Sequence, residues 1–561
     1  MPPRLRSLLP FLQWPRFTRE TLRADLFAGI TVALVAVPQS LAYAQLSGVP
    51  PQYGLYASVV PAILGILFGS SLLLSTGPVA MTSLLTAASV GALLPAGTEQ
   101  FYAYVTLLAL LSGIFQLGFG VARAGILLSL VSHPVLMGFI NAAALIIAMS
   151  QLPALLGIST RESGHLLADT WHVITRMDTL HTWSLGFGVA AISIFVAFRK
   201  FAPRLPGVLI GVAILTVVSA LAGFAERGGR VVGTIPAGLP GLGVPALEWS
   251  AVTALLPAAF VIALISFMEA MSSCKAIAIK TRVRWDENQE LVGQGVAKIA
   301  AAFCQSMPVS GSFSRSALNL ASGARTGLSS LVTAACVVLT LLFFTPLLYH
   351  LPKPVLAAVI MLAVVGLVDL EAFRRSWRAS RDDGIAAIAT FVATLAFAPN
   401  IQNGILTGII VSLAAYMYGR MRPGIETRTV PRSPSAEAGA GSTANAEIGI
   451  LRFDAALYFA NVSFFEETVL ALERSTPDLK HIVIVANGIN DLDASGVEML
   501  RHLTLHLAQS GIALVLADVK PQVRAVIERT GLLEALGSDN LYPTVAAAID
   551  ALTVRADAMR G

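Results

Sequence analysis

Charge is scarce in this sequence. Only 13% of its 561 residues are Asp, Glu, Lys or Arg, about half the share of an ordinary soluble domain, which argues against a water-exposed globule over most of the chain. Cysteine is nearly absent as well. Cys274, Cys304 and Cys336 sit within or beside apolar segments, with no CxxC or Cys/His spacing, so neither a disulfide framework nor a zinc site is expected, and no cofactor either. The eight histidines form no HExxH pair, and no nucleophile elbow or paired catalytic carboxylates stand out; the chain is not expected to be an enzyme. The basic first 24 residues are broken by prolines and precede an apolar run long enough to span a bilayer, so no cleavable signal peptide is expected.

Apolar sequence fills the space that charge leaves. Hydrophobic residues make up 55% of the chain, and runs long enough to cross a hydrocarbon core recur from Leu26 to Tyr418. The expected spans are 26–46, 53–70, 73–93, 101–121, 126–149, 184–198, 206–224, 252–273, 288–305, 309–323, 327–349, 354–370, 384–398 and 402–418, fourteen in all. The third and tenth are cut by Gly and Pro or Ser near their starts and are expected to be broken elements. An amphipathic interfacial segment is expected over 163–178. The formal charge of +5 comes mostly from arginines in short loops, which is topology information, and nucleic acid is not an expected partner. Arg4, Arg6, Arg16, Arg19 and Arg23 precede the first span; Arg199, Lys200 and Arg204 follow the sixth, Lys280, Arg282 and Arg284 the eighth, and Arg374, Arg375, Arg378 and Arg381 the twelfth. All of these are even-numbered boundaries, so both ends of the chain are expected in the cytoplasm.

Three internal matches lie in the same order in both halves. VALVAVPQS (32–40) aligns with IALISFMEA (262–270), STGPVAMT (75–82) with VSGSFSRS (309–316), and HPVLMGFINAA (133–143) with KPVLAAVIMLA (353–363). Spans one, three and five repeat as eight, ten and twelve, and because seven is odd the halves are inverted in the membrane: a seven-plus-seven inverted repeat. In such folds the substrate sits near the midplane, where broken helices of the two repeats point their N-termini at each other. Here those would begin near Thr76 and Ser310. Helix N-termini offer free N–H groups and a positive dipole end, an anion site without a fixed charge. Gly77 and Gly311 permit tight chain geometry, while Ser75, Thr76, Ser310, Ser312 and Ser314 supply hydroxyls. Close helix packing is the competing account of the same residues.

Charge at membrane depth marks function by default. Arg315, beside the second break, either adds to the field on a bound anion or snorkels and packs. Glu269 aligns with Gln39 in the repeat; it either takes up a proton during transport or stays the charged partner of a nearby cation. Tyr43, one turn beyond Gln39 on the same helix face, either lines the cavity or packs.

Three blocks resemble the SulP family of anion transporters: DLFAGITVALVAVPQSLAYAQLSGVPP (25–51), PPQYGLYASVVPAILGILFGSSLLLSTGPVAMTSLL (50–85), and DENQELVGQG (286–295) with SGSFSRSALNLASGARTGLS (310–329). The resemblance covers essentially the whole chain. It implies a substrate site formed by Gln39, Tyr43, the amides of Val79 and Ala80, Glu269, Phe313, Ser314 and Arg315. It also implies a mobile core domain (spans one to four and eight to eleven) moving against a gate domain, within a homodimer. The expected activity is secondary active transport of sulfate, bicarbonate or a dicarboxylate by a multi-pass protein of the cell inner membrane. Glu269, where sodium-coupled relatives tend to carry Asp, favours proton symport over sodium. One departure is Lys298, where the family usually has Asn; a lysine there must snorkel, pair with a carboxylate or face water. A nucleobase carrier of similar architecture, a sodium-coupled bicarbonate transporter and a membrane anion sensor are the alternatives.

From about Gly419 the chain turns charged and turn-rich. Residues 421–446 read as a linker, and 447–556 as a small α/β domain of strands IGILRF, HIVIVA and IALVLA alternating with helices. This tail resembles a STAS domain. The resemblance maps a phosphorylatable serine of antagonist proteins to Ser495, although Asp493 and Ser495 also suit helix capping. No Walker lysine or GxGxxG accompanies them, so nucleotide binding is not expected.

Overall fold

Each of the fourteen apolar segments holds a helix. The computed structural model describes residues 9–15, 17–125, 131–158, 171–173, 175–202, 206–431 and 446–558. The first repeat runs through α1 (Arg19–Leu46), α2 (Pro51–Ala57), α3 (Val60–Phe68), strand β1 (Ser75–Gly77), α4 (Ala80–Gly91), α5 (Glu99–Val121), α6 (His133–Leu156), α7 (Thr182–Phe201) and α8 (Gly207–Leu221). The second runs through α9 (Trp249–Thr281), α10 (Glu287–Phe303), strand β2 (Ser310–Ser312), α11 (Phe313–Ala321), α12 (Leu328–Leu339), α13 (Lys353–Val365), α14 (Glu371–Ala379), α15 (Arg381–Ala396) and α16 (Gln402–Met421). The interfacial segment expected over 163–178 lies mostly outside the described residues. Contacts divide the chain after Ser412 into two compact units.

Among the described residues eight helices are long and apolar enough to cross a bilayer, α2 and α3 counting as one interrupted helix. The helices are apolar on more than one face. α1 opens on a capping box, with Thr21 N–H donating to Thr18 Oγ1 (3.2 Å) and Thr18 N–H to Thr21 Oγ1 (2.8 Å). It then buries Asp25, Ala28, Gly29 and Val32 while leaving Leu22, Leu26, Phe27 and Ile30 exposed. A helix with apolar residues on its exposed face belongs against lipid. Where helices meet inside the bundle, small residues bring backbones together. A Cβ at Gly295 of α10 would lie 2.5 Å from the Leu117 amide of α5, and one at Gly293 equally close to Gly69 beyond α3.

The repeat is visible in the elements. β1 and β2 pair antiparallel, with Ser75 opposite Ser312, Thr76 opposite Gly311 and Gly77 opposite Ser310. Each leads directly into a short helix, α4 or α11. α6 and α13 both begin with a proline in the first turn, where its missing N–H costs nothing.

The second unit contains a five-stranded sheet, β3 (Ile425–Pro431), β4 (Ala446–Phe453), β5 (His481–Val485), β6 (Ala513–Ala517) and β7 (Leu541–Tyr542), in that spatial order. β3 and β4 are antiparallel and the remaining pairs parallel. Its helices are α17 (Val462–Ser475), α18 (Ala494–Gln509), α19 (Pro521–Arg529), α20 (Leu532–Leu536) and α21 (Val545–Ala558). Part of the stretch read as linker is therefore structured: residues 425–431 form β3. Their alternating Ile, Thr and Val are strand formers, and the register from Ile425–Phe453 to Val430–Ile448 is continuous.

Candidate functional site

The two breaks meet at one place. β1 and β2 cross with all six residues buried, so the N-terminal ends of α4 and α11 approach the same region from opposite repeats. The two ends are finished differently. Val79 is the extended N-cap residue of α4 and no side chain caps it, which leaves first-turn N–H groups, from Ala80 onward, free to meet a ligand. α11 is capped by Ser312, whose Oγ accepts from the Arg315 amide at 3.4 Å. Phe313 and Ser314 are exposed at its start, Phe313 by 55%, so this end opens onto accessible space.

Arg315 turns the other way. It is 2% exposed; its Nη1 donates to the Pro78 carbonyl at 2.9 Å and its Nε to Ser75 Oγ at 3.4 Å. It does not snorkel. It straps the second break to the first, and its Nη2 is buried with no partner among the described residues. Glu269 of α9 and Tyr43 of α1 both lie within electrostatic reach of Arg315 and of each other. Gln39, a turn before Tyr43, is buried, and neither its Oε1 nor Oε2 of Glu269 has a partner among the described residues. Buried polar atoms without partners are rare and cluster where a ligand or water completes them. Gly311 stands opposite Thr76, but the Thr76 hydroxyl is turned away and accepts from Gln294 Nε2 at 2.9 Å.

That contact leads to residues the sequence reading passed over. Gln294 Nε2 also reaches Glu290 Oε1 at 3.1 Å, and Glu290 Oε2 accepts from the Ser70 and Ser71 amides at 2.9 Å each. A fully buried carboxylate on α10 thus holds the chain leading into β1. Asp25 does similar work at α1, accepting from the Arg325 and Thr326 amides at 2.7 and 3.1 Å. Both lay inside quoted family blocks; a carboxylate in a Gly- and apolar-rich block was the available signal. Lys298 does not snorkel, and among the described residues it forms no salt bridge: it is wholly buried and donates to Gln116 Oε1 of α5 and Ser266 Oγ of α9.

The sequence matches the sulfate permease family over residues 22–390 and the STAS domain over residues 442–548. The chain belongs to the sulfate permease family. Probable sulfate transporter 4.2 of Arabidopsis thaliana is 33% identical to it, the alignment covering 96% of this chain and 82% of the relative. Probable sulfate transporter MT1781 of Mycobacterium tuberculosis is 31% identical over 97% of this chain and 98% of its own. Solved structures share the fold. That of SLC26A9 superposes with a TM-score of 0.88 at 22% identity, covering 99% of this chain and 94% of that one. The transmembrane domain of the cyanobacterium bicarbonate transporter BicA gives 0.60 at 24% identity over 71% and 99%. In the STAS domain, Asp493 is the N-cap of α18, its Oδ1 accepting from the Gly496 amide at 2.8 Å. Ser495 is not the N-cap and stands exposed in the helix's first turn.

Proposed function

We propose that this chain is a secondary active transporter that carries a small oxyanion between the first turns of α4 and α11. The observation that carries this reading is the antiparallel crossing of β1 and β2. It aims two helix N-termini at one place, with uncapped amides on α4 and the Arg315 guanidinium behind them. Helix ends and a guanidinium in a low-dielectric setting attract an anion of any shape with outward oxygens. Sulfate, bicarbonate and dicarboxylates all meet that description, and the names of the relatives favour sulfate. Gln39, Tyr43, Phe313 and Ser314 complete the wall.

Proton symport through Glu269 belongs to the same reading; in its support, the carboxylate stands by Arg315 and its Oε2 has no partner among the described residues. Ser310 Oγ has one proton and donates it to the Ser266 carbonyl at 2.8 Å, while also lying against Glu269. Alternating access would move a core of α1–α5 and α9–α12 against a gate of α6–α8, α13, α15 and α16. In support, α10 packs on α5 and α3, α12 on α1, and α13 and α15 on α6. The arginine distribution supports a cytoplasmic N-terminus and STAS domain, and the family resemblance supports a homodimer in the inner membrane.

Uptake in proteoliposomes of purified protein, with a panel of labelled anions and imposed proton or sodium gradients, tests this reading. We expect uptake of at least one oxyanion, accelerated by an inward proton gradient. Ser314→Trp should abolish it in a protein that still folds. Full uptake by that variant would locate the site elsewhere.

A further inference from the structure

Lys298 is a cation without exposure, on the element that anchors β1. An ammonium brought out of water must be compensated by oxygens or by charge. Here two side-chain oxygens touch it, Gln116 Oε1 from α5 and Ser266 Oγ from α9. The Ser266 hydroxyl can accept from it, and the Gln116 amide nitrogen has no partner among the described residues. Glu269, one turn along α9 from Ser266, is the negative group within electrostatic reach of Lys298. Arg315 on α11 and Tyr43 on α1 are the other ionisable groups around Glu269. α3 and β2, which also pack on α10, bring none. The ammonium therefore has the surroundings of a hard monovalent cation: neutral oxygens from neighbouring helices, with a carboxylate nearby.

We propose that Lys298 is a resident cation, its ammonium filling the oxygen-lined place between α5, α9 and α10 that a sodium ion would take beside Glu269, so that the chain moves its anion without sodium. The proposal rests on reading the chain as an anion transporter with Glu269 in its site. A free ion delivers its charge only when its concentration is sufficient, whereas a tethered ammonium stays in place at any salt concentration. Charge balance favours such a group. With Glu269 ionised, Arg315 and Lys298 leave one net positive charge for a monoanion; with Glu269 protonated they leave two, the complement of a dianion. Without Lys298 each count falls by one, which is the deficit a bound sodium ion would restore. Asparagine at 298 withdraws the ammonium, leaves Gln116 Oε1 and Ser266 Oγ facing the vacated space, and contributes an amide oxygen of its own. Methionine refills the volume without adding an oxygen.

The test uses the purified full-length protein in sodium, potassium and choline chloride, measuring thermal unfolding in detergent and anion uptake in proteoliposomes. For wild type we expect both to be unchanged among the three salts. For Lys298→Asn we expect sodium alone to raise the unfolding midpoint and to restore uptake about fivefold or more over choline. Lys298→Met should show no sodium response. Sodium-driven uptake by wild type overturns the proposal whatever the variants do. So does a folded Lys298→Asn protein that sodium does not stabilise, or a sodium response in Lys298→Met. If Lys298→Asn does not fold, Lys298→Gln replaces it with the same expectation. Failure of the transport reading looks different: wild type would take up no anion under any gradient, while the sodium-specific stabilisation of Lys298→Asn would persist.

Discussion

Arg315 lies against Gly77. A Cβ at position 77 would meet its Nη2 at 2.9 Å, while its Nη1 donates to the carbonyl of the next residue, Pro78, at 2.9 Å. The glycine in the first break is thus shaped around the arginine of the second. Because the obstructing atom is the end of a flexible side chain, Gly77→Ala should fold with a loss of about 1 kcal/mol, at the low end of overpacking. Arg315 would give way instead. We expect uptake to fall about tenfold, equivalent to roughly 1.4 kcal/mol of site free energy. Gly77→Val, with more to accommodate, should abolish uptake. Normal uptake by the alanine variant would show that the position of Arg315 is not critical.

Glu290 offers a stability test away from the site. Its Oε2 accepts two amide bonds and its Oε1 accepts from Gln294 Nε2, which in turn reaches Thr76. Glu290→Gln removes the charge from these bonds and presents Gln294 with an NH2 group where it had an acceptor. Hydrogen bonds to a charged group contribute about 1.5–3 kcal/mol, so a destabilisation of that size is expected in chemical or thermal unfolding. Uptake should fall as well, since Thr76 loses its support. An unfolding midpoint equal to wild type would show that the helix packing alone fixes β1.

How much of this was legible beforehand follows the reach of each signal. Periodic and compositional signals placed the spans, because lipid demands long apolar runs from every crossing segment. The breaks before Ala80 and Phe313 were legible because Gly, Pro and Ser interrupt those runs. Buried carboxylates were harder. Glu290 and Asp25 look like loop-side acids in sequence, and only the fold reveals that they answer amides more than 200 residues away in the chain. Strand β3 was hidden by its surroundings, a short alternating run beside a Ser-, Pro- and Ala-rich tract. Lys298 was visible as an anomaly, but the partners that hold it come from α5 and α9.

Asp369 falls within the span expected at 354–370, but the helix there, α13, ends at Val365, so Asp369 lies in the loop to α14 and gives a pH test beyond the helix. The Arg375 side chain, bonded at 2.5 Å, holds its carboxyl below the usual carboxylate value, aided by the Ala372 amide at 3.0 Å. The sign follows from linkage. A depressed carboxylate contributes its stabilisation above the ordinary value of about 3.9 and loses it as pH falls through the lowered folded value. Arg375→Gln should move that titration upward, toward the ordinary value. Carbon NMR of labelled aspartate can follow it, and an unmoved titration would assign the effect to the Ala372 amide instead.

The second unit predicts where it can be cut. β3 pairs along β4 from Ile425 to Pro431, so a fragment beginning at residue 447 would expose the full edge of β4. Open strand edges recruit other chains. A fragment of residues 423–558 should unfold cooperatively and stay monomeric, whereas 447–558 should be less stable and associate. Light scattering and thermal melts of the two decide this, and equal behaviour would make β3 dispensable.

The proposed proton coupling is tested at Glu269. It is the carboxylate that the repeat sets opposite Gln39, it lies within electrostatic reach of both Arg315 and Lys298, and its Oε2 has no partner among the described residues. An ionised Glu269 repels an arriving anion, and a protonated one does not. Under the proposed mechanism, anion binding and proton uptake at this residue are favourably coupled, and by linkage each promotes the other. Glutamine mimics the protonated form permanently. Glu269→Gln should keep anion binding and anion exchange across the bilayer, because the helix ends and Arg315 are untouched. It should lose the acceleration of net uptake by an inward proton gradient. Lys298 separates this from an indirect effect: if the ammonium itself exchanged the proton, the gradient response would survive in Glu269→Gln and vanish in Lys298→Asn. Uptake measured against external pH in the three proteins distinguishes the cases, and an unchanged proton response in Glu269→Gln removes the carboxylate from the coupling mechanism.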